Sequence, residues 1–275
     1  MNKVAKSILD AILYVITFIV VQLVVQLAGA GIYSAINGTP FEQLLQGMGT
    51  GDYSDLVITT SLISSVITLI IFVLLKWAHT DRAYLASRPW GTLVWVILFS
   101  LGTILPLQWL YEQMQVIMPE NYEQLFQGIM SNPSGYLAIG ILAPLVEEIV
   151  FRGALLRRLL QVMGGKLHWV AIFISAFLFG LVHGNIAQFT HALILGCALG
   201  WMYYRTHSVV PGIVLHWVNN TVAYAMFYVM PWTAEGELID LFHGDSHTML
   251  MALGFSLCIL LPSLYQLSWR LRPAD

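Results

Sequence analysis

The sequence predicts an all-α membrane protein of about eight transmembrane helices with a polar cavity inside the bundle, and three observations predict it. Hydrophobic residues make up 58% of the 275 residues and charged residues only 10%, whereas soluble domains carry about 25% charged residues. A core of ordinary size cannot hide that much apolar surface, so a bilayer must solvate most of it. The apolar residues fall into eight segments, each near the ~20 residues that cross a hydrocarbon core. The basic residues cluster in alternate connections between those segments.

In chain order the segments are 8–30, 56–77, 91–110, 135–160, 169–183, 188–204, 209–230 and 249–269. The first follows Lys3 and Lys6 and contains Ala28-Gly29-Ala30, which resembles a signal-peptide cleavage site. Its apolar part exceeds the roughly 7–15 residues of a signal core, so a retained helix is expected. The second and third segments are long and uninterrupted. The fourth carries Glu147, Glu148 and Arg152, and its Pro144 removes a backbone hydrogen bond, which can kink the helix and admit water beside the carboxylates. The fifth and sixth are short and closely spaced, and the seventh holds His216, Asn219 and Asn220. The connections 37–55 and 111–134 have room for short interfacial helices. Trp90, Trp169 and Trp232 lie near predicted helix ends, as interfacial aromatics do. No internal repeat or linker divides the chain, so residues 1–275 are expected to form a single multi-pass membrane domain.

Charge sets the orientation. Lys3 and Lys6, then Lys76, Arg82 and Arg88, then Arg157, Arg158 and Lys166, then Arg205, then Arg270 and Arg272 all fall on one side. The opposite connections hold Glu42, Asp52, Asp55, Glu112, Glu120, Glu123, Glu235, Glu237, Asp240 and Asp245 without Lys or Arg. This is the pattern of cytoplasmic loops, with both termini inside. The net charge of −3 and the lack of a basic run exclude a nucleic-acid partner. Cys197 and Cys258 lie within apolar stretches and read as small hydrophobic fillers, not as a disulfide framework or a Cys-based zinc site.

Three polar clusters stand out, because ionisable groups at membrane depth are costly unless paired or wetted. Glu148 and Arg152 are i,i+4 and share a helix face, so they can form an ion pair. Glu147 is rotated about 100° away and is expected to act on something else. The alternative is a structural charge cluster holding helices together. His183 ends the fifth segment, in Phe179-Gly-Leu-Val-His183, with Gly180 and Gly184 allowing close helix approach. An imidazole beside a carboxylate can pass a proton near neutral pH, so Glu147 with His183 is a candidate water-activating unit; a structural histidine is the alternative. His216 and Asn220 are again i,i+4, and two donors aimed into a low-dielectric cavity suit a developing oxyanion; the alternative is a buried interhelical network. Gln188 and His191, opening the sixth segment, are candidate cavity-lining residues without an assigned role.

Glu147-Glu148-x3-Arg152, Phe179-x3-His183 and His216-x3-Asn220, in this order on successive membrane segments, resemble the CAAX protease and bacteriocin-processing enzyme (CPBP) family, which includes the type II CAAX prenyl endopeptidases and the Abi proteins. The resemblance covers residues from about 136 to 224. It implies an intramembrane endopeptidase in which Glu147 is the general base, His183 its partner in activating water, His216 and Asn220 the oxyanion site, and Glu148 with Arg152 a supporting ion pair. No cofactor is favoured. Zinc remains the alternative, with Glu147, Glu148, His183 and His216 as ligands, since two His and a carboxylate make a known catalytic set. Asn220 is a poor zinc ligand and suits an oxyanion donor better.

Other readings are a proton-coupled transporter or a non-catalytic membrane immunity or scaffold protein. The transporter reading predicts inverted repeats, and the sequence has none. No His-Glu-x-x-His, Gly-x-Ser-x-Gly or intramembrane Gly-x-Gly-Asp motif occurs. Expected partners are the lipid bilayer and a peptide or membrane-protein substrate. The expected location is a bacterial cytoplasmic membrane, where a leader peptide, peptide pheromone or membrane protein is a better substrate than a prenylated peptide.

Overall fold

The computed structural model describes residues 3–78, 82–230 and 236–273, without the side chains of residues 3 and 4. Trp232 and Glu235 lie outside the described residues, as does the side chain of Lys3. Among the described residues every regular element is helical: α1 (Lys3–Asn37), α2 (Phe41–Thr50), α3 (Ser54–Leu74), α4 (Arg82–Ala86), α5 (Trp90–Gln113), α6 (Glu120–Met130), α7 (133–163), α8 (His168–Leu181), α9 (Ile186–Thr206), α10 (Val210–Val229) and α11 (Ser246–Arg270). All eight predicted segments are therefore helices, and α2 and α6 are the short helices expected in the two long connections.

Five of the described helices are long and apolar enough to cross a membrane: α1 from Ala5, α3, α5, α9 and α11. The reasons the other three fall short are physical. The chain of α7 is rewound twice, α8 has only 14 residues, and α10 carries polar residues from His216 to Thr221. The bilayer is needed as solvent all the same. Only 11% of the most apolar window of α11 is buried, and Leu250, Phe255, Leu261 and Tyr265 project outward. On α1, Ile8, Ile12, Ile16 and Leu23 do the same. Water would penalise such a surface by about 25 cal/mol for each Å²; lipid does not. The chain is an integral membrane protein.

The chain divides into two compact units, residues 1–80 with 118–200 and residues 81–117 with 201–275, the division falling inside α9. In the first unit α1 packs on α3 and on the second half of α7, α3 packs on the first half of α7, and α8 packs on the 149–156 stretch. Phe151, Leu155 and Leu156 are fully buried there, with Phe18 of α1 edge-on to Phe151 at 5.5 Å. At one end α2 packs against α6. Gly51 terminates α2 in the left-handed region (φ 84°), where a Cβ would also meet the Gln124 carbonyl oxygen at 2.7 Å.

In the second unit α5 packs against both α10 and α11. Gly102 lets α11 approach closely, since a Cβ would lie 2.8 Å from the Leu260 nitrogen. The contact is then pinned by hydroxyls. Ser256 donates to the Gly102 carbonyl (3.0 Å), and Ser100 donates to the Leu215 carbonyl of α10 (3.1 Å). Serines that bond across helices are a common lipid-phase substitute for hydrophobic association.

α7 is the element on which the site depends. Its winding widens to i→i+5 bonding over Tyr136–Leu142 and Ile149–Leu156, on either side of an ordinary α-helical piece, Ala143–Glu148. Ala143 donates to the Ala138 carbonyl five residues back, and Pro144, which follows, has no N–H to give. The proline thus sits where the helix is already rewound. Widened turns of this kind concentrate at functional sites.

Candidate active site

Glu148 is the last residue of the α-helical piece of α7, and Arg152 lies in the widened stretch after it. The ion pair expected from their spacing is present: Arg152 Nη1 lies 2.7 Å from Glu148 Oε1, with both side chains at 0% exposure. Fully buried charges are tolerated only when paired and hydrogen-bonded, and the surroundings of Arg152 are built for that. Its Nη2 points at the Gly196 carbonyl of α9 (3.3 Å). Its guanidinium carbon stands 4.4 Å from the centre of the Phe179 ring, a cation–π contact. Gly196 is required for this approach, because a Cβ there would lie 3.1 Å from Nη2 and 3.0 Å from the Ala176 Cβ.

Phe179 connects the first cluster to the second. Its ring packs on Phe151 (5.1 Å between centroids), while its backbone carbonyl lies 2.7 Å from His183 Nδ1. The His183 ring stands edge-on to Phe179, 5.0 Å away. A carbonyl oxygen only accepts, so Nδ1 carries the hydrogen, and the neutral ring keeps its lone pair on Nε2. The structure therefore brings Glu148, Arg152, Phe179 and His183 into one contiguous chain of contacts, across α7 and α8 and the turn after it. Glu147, one residue before Glu148, is half-buried and within electrostatic reach of Arg152.

The turn that holds His183 is fixed from three directions. Gly184 adopts φ 74°, left-handed backbone that a side chain would strain, and a Cβ there would lie 2.9 Å from the Tyr122 hydroxyl. Gly184 thus makes a turn as well as the expected close approach, here to α6. Gly180 does serve packing, since a Cβ there would meet the Phe189 carbonyl oxygen at 3.0 Å. Tyr122 of α6 donates to the Gly184 carbonyl (3.3 Å). Asn185 caps α9, its Oδ1 accepting from the Gln188 N–H (2.9 Å) and its Nδ2 donating to Gln188 Oε1 (2.5 Å). Gln188 thus belongs to a helix cap. Asn185 and Tyr122 were not singled out from the sequence, although Asn is a common helix N-cap. Gly196-x3-Gly200 on α9 is a small-residue packing motif legible in the sequence; Gly200 faces Ile172 and Leu156.

His216 and Asn220 lie on α10 in the second unit. His216 is buried and Asn220 half-buried, with Asn219 Nδ2 donating to Asn220 Oδ1 (3.3 Å). The carbonyl of Leu215, the residue before His216, accepts from the Ser100 hydroxyl, which ties this stretch of α10 to α5.

Of the four residues in the zinc alternative, Glu148 has its carboxylate against the buried Arg152 guanidinium. Among the described residues no three His, Cys, Asp or Glu side chains are grouped to hold a metal ion.

The fold and site define a helical integral membrane protein in which a buried carboxylate and guanidinium lie in one chain of contacts with a half-buried imidazole. Residues 130–222, a segment that contains all three polar clusters, match the family model described as Type II CAAX prenyl endopeptidase Rce1-like, and in this segment the chain is similar to the CPBP family. No curated protein and no solved structure matches the chain.

Proposed function

We propose that this protein is an intramembrane endopeptidase of the CAAX-protease and bacteriocin-processing type, hydrolysing a peptide bond without a metal ion. Glu147 takes a proton from a water oriented by His183, and the oxygen adds to the scissile carbonyl carbon. His216 and Asn220 donate to the resulting oxyanion. The proton held by Glu147 then goes to the leaving nitrogen as the C–N bond breaks, so no acyl-enzyme forms. The observation that carries this reading is the family match over 130–222, within which Glu148 and Arg152 already neutralise each other and the acid–base work falls to Glu147. The hydrogen bond from His183 Nδ1 to Phe179 supports it, because it leaves Nε2 to accept from a water.

In the same proposal the chain crosses the membrane eight times with both termini in the cytoplasm of a bacterium. The substrate is a leader peptide, a peptide pheromone or a membrane-protein segment. The test incubates purified protein with a peptide library containing prenylated and unprenylated members, with and without chelator. Wild type should cleave with or without chelator, and Glu147→Ala and His183→Ala should each lose 100-fold or more, within the usual ~10²–10⁴-fold contribution of a general base. Undiminished cleavage by Glu147→Ala would sink the mechanism, and loss of wild-type activity on chelation would replace it with a metal-dependent one.

A further inference from the structure

At one end of the first unit, a cavity of about 320 Å³ opens between the starts of α1 and α7's last turns and the residues following α3. Four cationic side chains line it, Lys6, Lys76, Arg157 and Arg158, against a single carboxylate, Asp10. Asp10 is taken by Arg158 Nη2, whose own Nε is buried without a hydrogen-bond partner among the described residues. The cavity therefore holds a surplus of positive charge that no lining group offsets.

Two features show that the surplus is built in. Lys76 sits at φ 57°, left-handed backbone at the end of a helix where Gly or Asn is the usual occupant. The residues beside it are fastened by N–H bonds from Trp77 and Ala78 back to the Phe72 carbonyl. The second feature is the wall: Trp77 packs on Tyr14 at 5.0 Å and on Phe72 at 5.3 Å, so the rim is a rigid aromatic one. Next to this polar opening, Leu9, Leu13, Leu74 and Leu75 project outward from α1 and α3. A ligand that is anionic at one end and apolar at the other matches both surfaces.

We infer that this cavity binds the phosphate of an anionic lipid headgroup, whose acyl chains lie along the exposed leucines of α1 and α3. The assignment is independent of the proposed peptidase activity. It is tested on the full chain in neutral detergent, titrated separately with phosphatidylglycerol, phosphatidylcholine and inorganic phosphate while Tm is followed. Phosphatidylglycerol should raise Tm, and the other two should not. Juxtamembrane Lys and Arg each contribute about 1 kcal/mol to anionic-lipid binding. The Lys76→Asn/Arg157→Gln double variant should therefore bind phosphatidylglycerol tenfold or more weakly; Asn is chosen because it tolerates left-handed backbone. Lys6→Gln, at an exposed position, should weaken binding by about fivefold and serves as the second variant. Equal responses of wild type and variants, or of the two lipids, overturn the inference. A response to inorganic phosphate as large as that to phosphatidylglycerol overturns the lipid and assigns the cavity to a free phosphoanion.

Discussion

The guanidinium of Arg152 lies 4.4 Å from the centre of the Phe179 ring, and the carbonyl of the same Phe179 receives the Nδ1 hydrogen of His183. One residue thus stacks on the structural ion pair and sets the tautomer of the candidate catalytic histidine. The ring serves the first function and the backbone carbonyl the second.

Removing Arg152 should be among the most damaging changes in the protein. Arg152→Met leaves Glu148 fully buried with its counter-charge gone, a loss of about 3–5 kcal/mol. The Glu148→Met/Arg152→Met double variant should recover most of it, because two apolar residues of similar volume replace a buried ion pair at little cost. Chemical unfolding in detergent measures both; a double variant no better than the single one would mean that the charge is not the origin of the loss.

Phe179→Leu keeps the carbonyl that holds His183 and deletes the ring. The cation–π contact with a desolvated guanidinium is worth about 2 kcal/mol, and the Phe151 pair adds about 0.5–1.5 kcal/mol. Stability should fall by about 2.5–3.5 kcal/mol, read from the same unfolding titration.

At the two glycines that shape the site, opposite controls apply. Gly196→Ala inserts a methyl between Arg152 Nη2 and Ala176 and should cost about 1–3 kcal/mol by overpacking. Gly184→Ala is strained by its backbone, φ 74°, by about 1–2 kcal/mol. Gly184→Asn should recover part of that, as no substitution does at Gly196. Thermal unfolding of the three variants distinguishes strain from crowding.

Tyr84 on α4, outside the candidate membrane spans, gives a pH dependence. Burial pushes its phenol up from 10.0 to about 12. The folded state therefore holds this proton where the unfolded chain has lost it. The associated stability is fully present below pH 10 and disappears as pH rises towards 12. Tyr84→Phe should flatten this part of the profile. Melting curves of wild type and variant between pH 9 and 12 that fall in parallel would show that Tyr84 is not responsible.

Much of the site's chemistry was legible because it depends on local spacing. Glu148 and Arg152 are four residues apart on one helix, and their pairing survives even though Arg152 lies in a widened turn. The widening itself was not legible beyond Pro144, because the hydrophobic pattern of a segment does not reveal where its backbone bonding shifts from i→i+4 to i→i+5. The close approach expected at Gly184 is present, against Tyr122 of α6, but its turn was not legible, because periodicity does not reveal left-handed backbone. The basic residues Lys6, Lys76, Arg157 and Arg158 were legible as one side of a membrane. Their gathering around one cavity with Asp10 was not.

The amino-acid sequence by itself determined that the protein is helical, that lipid is its solvent, and that Glu148 and Arg152 pair along one helix. These follow from composition and from separations of three or four residues, which helix geometry converts directly into shared faces. Only the tertiary structure decided that Phe179 links the buried ion pair to His183, that Gly196 makes room for the guanidinium, and that Tyr122 and Asn185 hold the histidine's turn. The contacts of Arg152 with Phe179 and Gly196, and of Tyr122 with Gly184, join residues 27 to 62 positions apart. No local rule encodes such a distance; it is settled when helices pack against one another.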